Sequence, residues 1–104
     1  MQASYAERFS REMGCTESEW LGWLPAAIGA HPWQREGCHV QVQIQEEAIV
    51  IGRLTLNWRV EPARRIALMH LPCLWVSFAF EGLDPGQRYA FMRRFDLYMQ
   101  RGGG

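Results

Sequence analysis

His39-Val40-Gln41-Val42-Gln43-Ile44-Gln45 alternates polar and apolar side chains at every step. Successive side chains of a strand point to opposite faces, so this spacing predicts a strand with Val40, Val42 and Ile44 buried and His39, Gln41, Gln43 and Gln45 wet. Glu46-Glu47 supplies a turn. Ala48 to Val60 is long enough for a second strand, with Leu54, Leu56, Trp58 and Val60 inward and Arg53, Thr55, Asn57 and Arg59 outward. Ile49 and Ile51 have the opposite parity. A bulge at Gly52 reconciles them, because one extra residue resets which side faces the core.

Downstream, Glu61-Pro62-Ala63-Arg64-Arg65 reads as a turn, Ile66 to Leu71 as a third strand and Cys73 to Phe80 as a fourth, with Pro72 marking a break or bulge between them. Leu74, Val76, Phe78 and Phe80 share one face of the last strand; Trp75, Ser77 and Ala79 share the other. Past Gly82 the period changes to that of a helix. Asp84-Pro85-Gly86-Gln87 places Asp at the N-cap, Pro at the first helical position and Gln where a capping-box partner belongs. Phe91, Met92, Phe95, Tyr98 and Met99 then form one stripe, which should pack on the sheet.

Upstream, Ala3 to Met13 reads as a short amphipathic helix, with Tyr5, Ala6, Phe9 and Met13 at three-to-four spacing and Gly14 as its end. Thr16-Glu17-Ser18-Glu19 has the capping-box form and predicts a second helix carrying Trp20, Leu21, Trp23 and Leu24, which Pro25 either kinks or stops. Gly29-Ala30-His31-Pro32 through Gly37 reads as a loop. The predicted fold class is therefore α+β: a four-stranded, mostly antiparallel β-meander with two N-terminal helices and one C-terminal helix packed on the sheet. Residues 1–104 form a single domain in this reading, with Gly102-Gly103-Gly104 as a flexible C-terminal tail.

A chain of 104 residues suits one domain with its own core. No apolar run approaches the roughly 18 residues needed to span a bilayer, and the N-terminal residues lack a basic-then-apolar signal pattern, so the expected location is the cytoplasm, with no membrane partner. The eleven basic residues are all Arg, balanced by eleven acidic ones, giving a formal net charge of zero. Codon bias in a GC-rich genome explains an all-Arg complement, as does selection for planar, bidentate or stacked contacts. Zero net charge supplies no general pull toward nucleic acid, so such contact needs a local patch. Cys15, Cys38 and Cys73 are an odd count, which argues against a disulfide framework.

Catalytic and metal motifs are weak. Cys38 and His39 are strand neighbours whose side chains diverge, and His70-Leu71-Pro72-Cys73 lacks the second ligand pair that tetrahedral zinc usually takes, so neither a metal site nor a cofactor is expected. A Cys73 nucleophile with His70 as its base is the enzymatic alternative, although no orienting Asp or Asn lies near it in sequence. No Gly-x-Ser-x-Gly elbow occurs, and Asp84 occupies the place where a phosphate would dock at the last helix. No residue is assigned a catalytic role.

Two surfaces remain. Arg53, Arg59 and Trp75, with Gln41, Gln43, Thr55 and Asn57, fall on the outer sheet face, where Arg beside an aromatic ring is a way of holding single-stranded nucleic acid or a nucleotide. The second is the Trp20, Trp23 and Trp33 segment, which either covers the sheet or leaves an apolar patch for a partner or a second copy.

The run Val76-Ser77-Phe78-Ala79-Phe80 followed by Leu83-Asp84-Pro85-Gly86-Gln87-Arg88 is similar to the tail of PilZ cyclic-dinucleotide receptors. That family holds its ligand with an Arg-x-x-x-Arg pair and an Asp/Asn-x-Ser-x-x-Gly strand; neither pattern occurs in this sequence, so no ligand residue carries over. The expected function is a non-catalytic protein-interaction or regulatory module, alone or as a homo-oligomer. The alternatives are a nucleic-acid or nucleotide binder and a small enzyme or enzyme subunit.

Overall fold

The computed structural model describes residues 4–101, so the glycine tail at 102–104 lies outside the described residues. Five strands and two helices follow in the order β1 (Arg8–Met13), α1 (Glu17–Ile28), β2 (Trp33–Glu36), β3 (His39–Glu46), β4 (Ile49–Ile66), β5 (Met69–Glu81) and α2 (Pro85–Arg101). The strands form one antiparallel sheet in the order β1-β5-β4-β3-β2. The α+β class and the antiparallel sheet are as the sequence predicts; the count is five strands and two helices rather than four and three.

Both helices cover the same face. Leu54, Leu56, Leu74, Val76 and Phe78 point into it and are buried. Trp20 of α1 lies edge-on to Trp58 at 5.6 Å and to Phe95 of α2 at 6.1 Å, while Phe95 meets Phe78 edge-on at 5.7 Å. Each such side chain contributes roughly 1.5–3 kcal/mol on burial, and the edge-on ring pairs add to that. Both predicted caps form: the Thr16 hydroxyl accepts the Glu19 N–H at 3.1 Å, and Asp84 Oδ1 accepts the Gln87 N–H at 2.8 Å. α1 continues past Pro25 to Ile28.

Three departures from the sequence reading have physical causes. The first predicted helix is wrong where it is described: Arg8–Met13 is an edge strand paired with β5. Phe9, Arg11 and Met13 also fit period two, and an isolated helix this short is marginal, so pairing with β5 and the stacking of Phe9 on Phe78 at 4.6 Å decide the outcome. The loop before Gly37 contains a short strand, β2, that extends the sheet beyond β3.

The third correction matters most for function. Residues 61–65 do not turn the chain. β4 runs on to Ile66, the turn is Ala67-Leu68, and β5 continues through Pro72, so the expected third strand is divided among β4, the turn and β5, and its second half is continuous with the expected fourth. A bulge between Glu61 and Arg64 absorbs Pro62 and Ala63. Proline is tolerated there because β4 has no partner on its other side beyond Asn57. The bulge expected near Gly52 is present: Ile44 pairs with Gly52 and Gln45 with Val50, leaving Ile51 as the extra residue. Gly52 is required, because a Cβ would overlap the Glu81 carbonyl oxygen and come within 2.9 Å of Leu83 Cγ. Among the described residues, no helix is long and apolar enough to cross a membrane.

Candidate functional site

β4 and β5 are longer than the strands flanking them. β3 stops pairing with β4 at Asn57, and β1 stops pairing with β5 at Leu74. Beyond those points the two strands project as a two-stranded arm, residues 59–73, tipped by the Ala67-Leu68 turn. Neither helix covers it. Of the seven large apolar side chains left exposed among the described residues, four are on this arm: Val60, Ile66, Leu68 and Met69. Leu68 is 99% exposed, the highest value among those seven. Ala67 holds φ at 54°, a left-handed turn conformation that favours glycine.

Both free edges of the arm are blunted. Pro62 and the bulge interrupt the β4 edge, Pro72 interrupts the β5 edge, and Arg64 and Arg65 add charge. Proteins use these devices to prevent strand addition, so contact through the arm falls to side chains rather than backbone. At its base, Arg64 pairs with Glu12, and Glu12 also accepts the Cys73 thiol at 2.9 Å. The bond to Glu12, followed by burial, raises the Cys73 pKa; the same bond and Arg64 lower that of Glu12. Such a thiol is held protonated, the opposite of what a nucleophile requires.

The sheet face away from the helices is polar. A register row of Ser10, Ser77, Asn57, His39 and Glu36 crosses all five strands. Ser10 and Ser77 hydroxyls lie 3.1 Å apart, and His39 Nδ1 is 2.8 Å from Asn57 Oδ1. Beside that row, the Arg59 guanidinium stands 5.9 Å from the centre of the Trp75 ring, at the edge of a shallow depression of about 140 Å³. Arg59 and Trp75 are thus brought together as a register pair, and Arg53 shares their face. Both arginines already have carboxylate partners: Glu61 for Arg59 and Glu81 for Arg53.

No protein-family model, curated protein or solved structure matches the chain.

The tryptophan segment roofs the core. Trp20 is fully buried and is a core residue rather than a partner contact, because α1 turns its indole onto Trp58 and Phe95. Trp23 and Trp33 are half-buried against that core. Trp58 Nε1 donates to Glu17 at 2.8 Å, which ties α1 to the sheet. Among the described residues, no cluster of three or more His, Cys, Asp or Glu side chains is arranged to hold a metal ion. The sequence reading missed the arm because Glu61 to Arg65 carries turn-forming residues. The available signal was Ile66-Ala67-Leu68-Met69, an apolar run bracketed by Arg65 and His70 with no alternation to hide it.

Proposed function

We propose that this chain is a non-catalytic protein-interaction module whose recognition element is the β4–β5 arm. The single observation carrying the reading is the gathering of Val60, Ile66, Leu68 and Met69, all exposed, on a ribbon that the rest of the sheet touches only near its base, through Glu12. A two-stranded ribbon is marginal in water by itself, and a protruding apolar tip adds an aggregation risk. A partner that buries the tip removes both costs. A photoreactive amino acid at position 68, introduced in the native host, should give a covalent protein adduct that the same group at the outer-face position Gln34 does not give. No adduct at position 68, or the same adducts from both positions, would contradict the reading.

A second reading, a nucleic-acid or nucleotide binder on the outer sheet face, draws on the Arg59–Trp75 pair. Phosphates there would have to displace the carboxylates of Glu61 and Glu81 from Arg59 and Arg53. Titration of short RNA at low salt should quench Trp75 if this reading holds. An unchanged spectrum removes it.

A further inference from the structure

We propose that the partner of the arm is a second copy of this chain, bound head to tail, with Leu68 of one copy seated in the depression between the β3–β4 hairpin and α2 of the next. The proposal rests on the arm being the recognition element and adds what it recognises.

Exposed apolar side chains gather at both ends of β4. One group is the arm tip; the other is Ile49 and Val50, beside the β3–β4 turn. The two ends carry opposite charge. Arg64 and Arg65 precede the arm tip, whereas Glu46 and Glu47 precede Ile49. Among the described residues, neither Arg65, Glu46 nor Glu47 has an ion-pair partner.

The acidic end also offers a receptacle. A depression of about 170 Å³ opens between the hairpin and α2, with Ile44, Ile51 and Phe91 forming apolar wall; Glu46 lines it too and accepts a hydrogen bond from Gln87 Nε2 at 3.3 Å. Arg94 lines it as well, but its guanidinium donates to the Ala26 carbonyl at 3.3 Å and lies 4.4 Å from the centre of the Tyr98 ring. An aliphatic knob with a basic collar therefore meets an apolar socket, walled in part by the Phe91 ring, whose one carboxylate among the described residues is Glu46, with Glu47 next to it in the hairpin turn.

Charge also selects the symmetry. Arm against arm would oppose Arg65 with itself, Arg64 being already paired with Glu12, and hairpin turn against hairpin turn would oppose Glu46 and Glu47 with themselves. Head to tail brings Arg65 to Glu46 and Glu47, while Arg94 is held on the Ala26 carbonyl and the Tyr98 ring. Such a contact is heterologous: each added copy leaves one tip and one socket free, so assembly grows past two until a ring closes. The contact is small, so the assembly should be weak and should depend on concentration and salt.

The test is light scattering on the full chain across a concentration series. Wild type should rise in mass beyond two copies. Leu68→Glu lacks the tip, and Ala90→Trp fills the socket; each alone should stay at one copy. Mixed in equal amounts they should form a two-copy species and stop there, because one supplies the only working tip and the other the only working socket. Arg65→Glu and Glu47→Arg should each lower the mass, and the two together in one chain should restore it. Leu68→Ser, with circular dichroism, checks that loss of mass does not come from misfolding. Wild type at one copy throughout, or a mixture that stays at one copy, overturns the proposal. In that event an adduct at position 68 with a different protein would leave the interaction-module reading standing.

Discussion

The guanidinium of Arg11 on β1 sits 2.5 Å from the Asp96 carboxylate on α2, joining the edge strand to the helix across the core face. Asp96 also accepts the Tyr5 hydroxyl at 2.7 Å, and Arg11 lies 4.9 Å from the centre of the Phe78 ring. Burial, then this hydrogen bond, pushes the Tyr5 pKa up to about 12. One carboxylate thus holds two donors contributed by the N-terminal segment.

Asp96→Ala should therefore cost about 2–4 kcal/mol, because it strands a half-buried guanidinium and a buried hydroxyl together. Denaturant unfolding measures it. A loss below about 0.5 kcal/mol would show that the triad carries no stability.

His31 sets a pH dependence. Its Nδ1 accepts the Gln45 N–H at 3.0 Å, so the neutral ring is the bound form. Burial first, and the Arg94 guanidinium second, hold its pKa below the ordinary value. The unfolded chain then binds more protons, so this contribution is complete above the unfolded pKa of about 6.5 and is lost as pH falls toward the lower folded value. The unfolding midpoint should drop from about pH 7.5 to about pH 5.5, and His31→Gln should flatten that drop. Equal slopes in the two proteins contradict the assignment.

Two glycines should respond with opposite signs. A Cβ at Gly52 overlaps the Glu81 carbonyl, whereas a Cβ at Gly22 on α1 meets nothing within 4 Å. Gly52→Ala should destabilise by about 1–3 kcal/mol, and Gly22→Ala should stabilise by up to about 1 kcal/mol. Thermal unfolding distinguishes them. The same sign for both would contradict the bulge geometry.

Much of this was legible from side-chain spacing. Val40, Val42 and Ile44, then Leu74, Val76, Phe78 and Phe80, have the parity of a half-buried sheet, and their burial follows. The two capping boxes are local chemistry and need no tertiary information. What could not be read is decided by contacts distant in sequence. Phe9 and Met13 satisfy both helical and strand spacing, and only β5 settles the choice. Pro62 and Pro72 look like chain breakers until the neighbouring strands are known to stop short of them. Of the candidate site, the shared outer face of Arg59 and Trp75 was visible from parity, whereas their direct pairing and the arm were not, because the predicted meander put a separate strand between them.

Substitutions at the arm tip should separate binding from folding. Leu68→Ser should change stability by no more than about 0.5 kcal/mol, since the side chain is 99% exposed, whereas Leu54→Ala in the core should cost about 2–5 kcal/mol. Both are read by denaturant unfolding at low protein concentration. A large loss at Leu68 would mean that the arm packs on its own domain.

The most direct measurement is carbene footprinting of the wild-type chain, read residue by residue at low and at high concentration. Leu68 and Met69 should label heavily when dilute and become protected when concentrated, with Trp20 unlabelled throughout. Leu68 silent even in dilute solution would mean that its own chain covers it, and the arm would not be a recognition element.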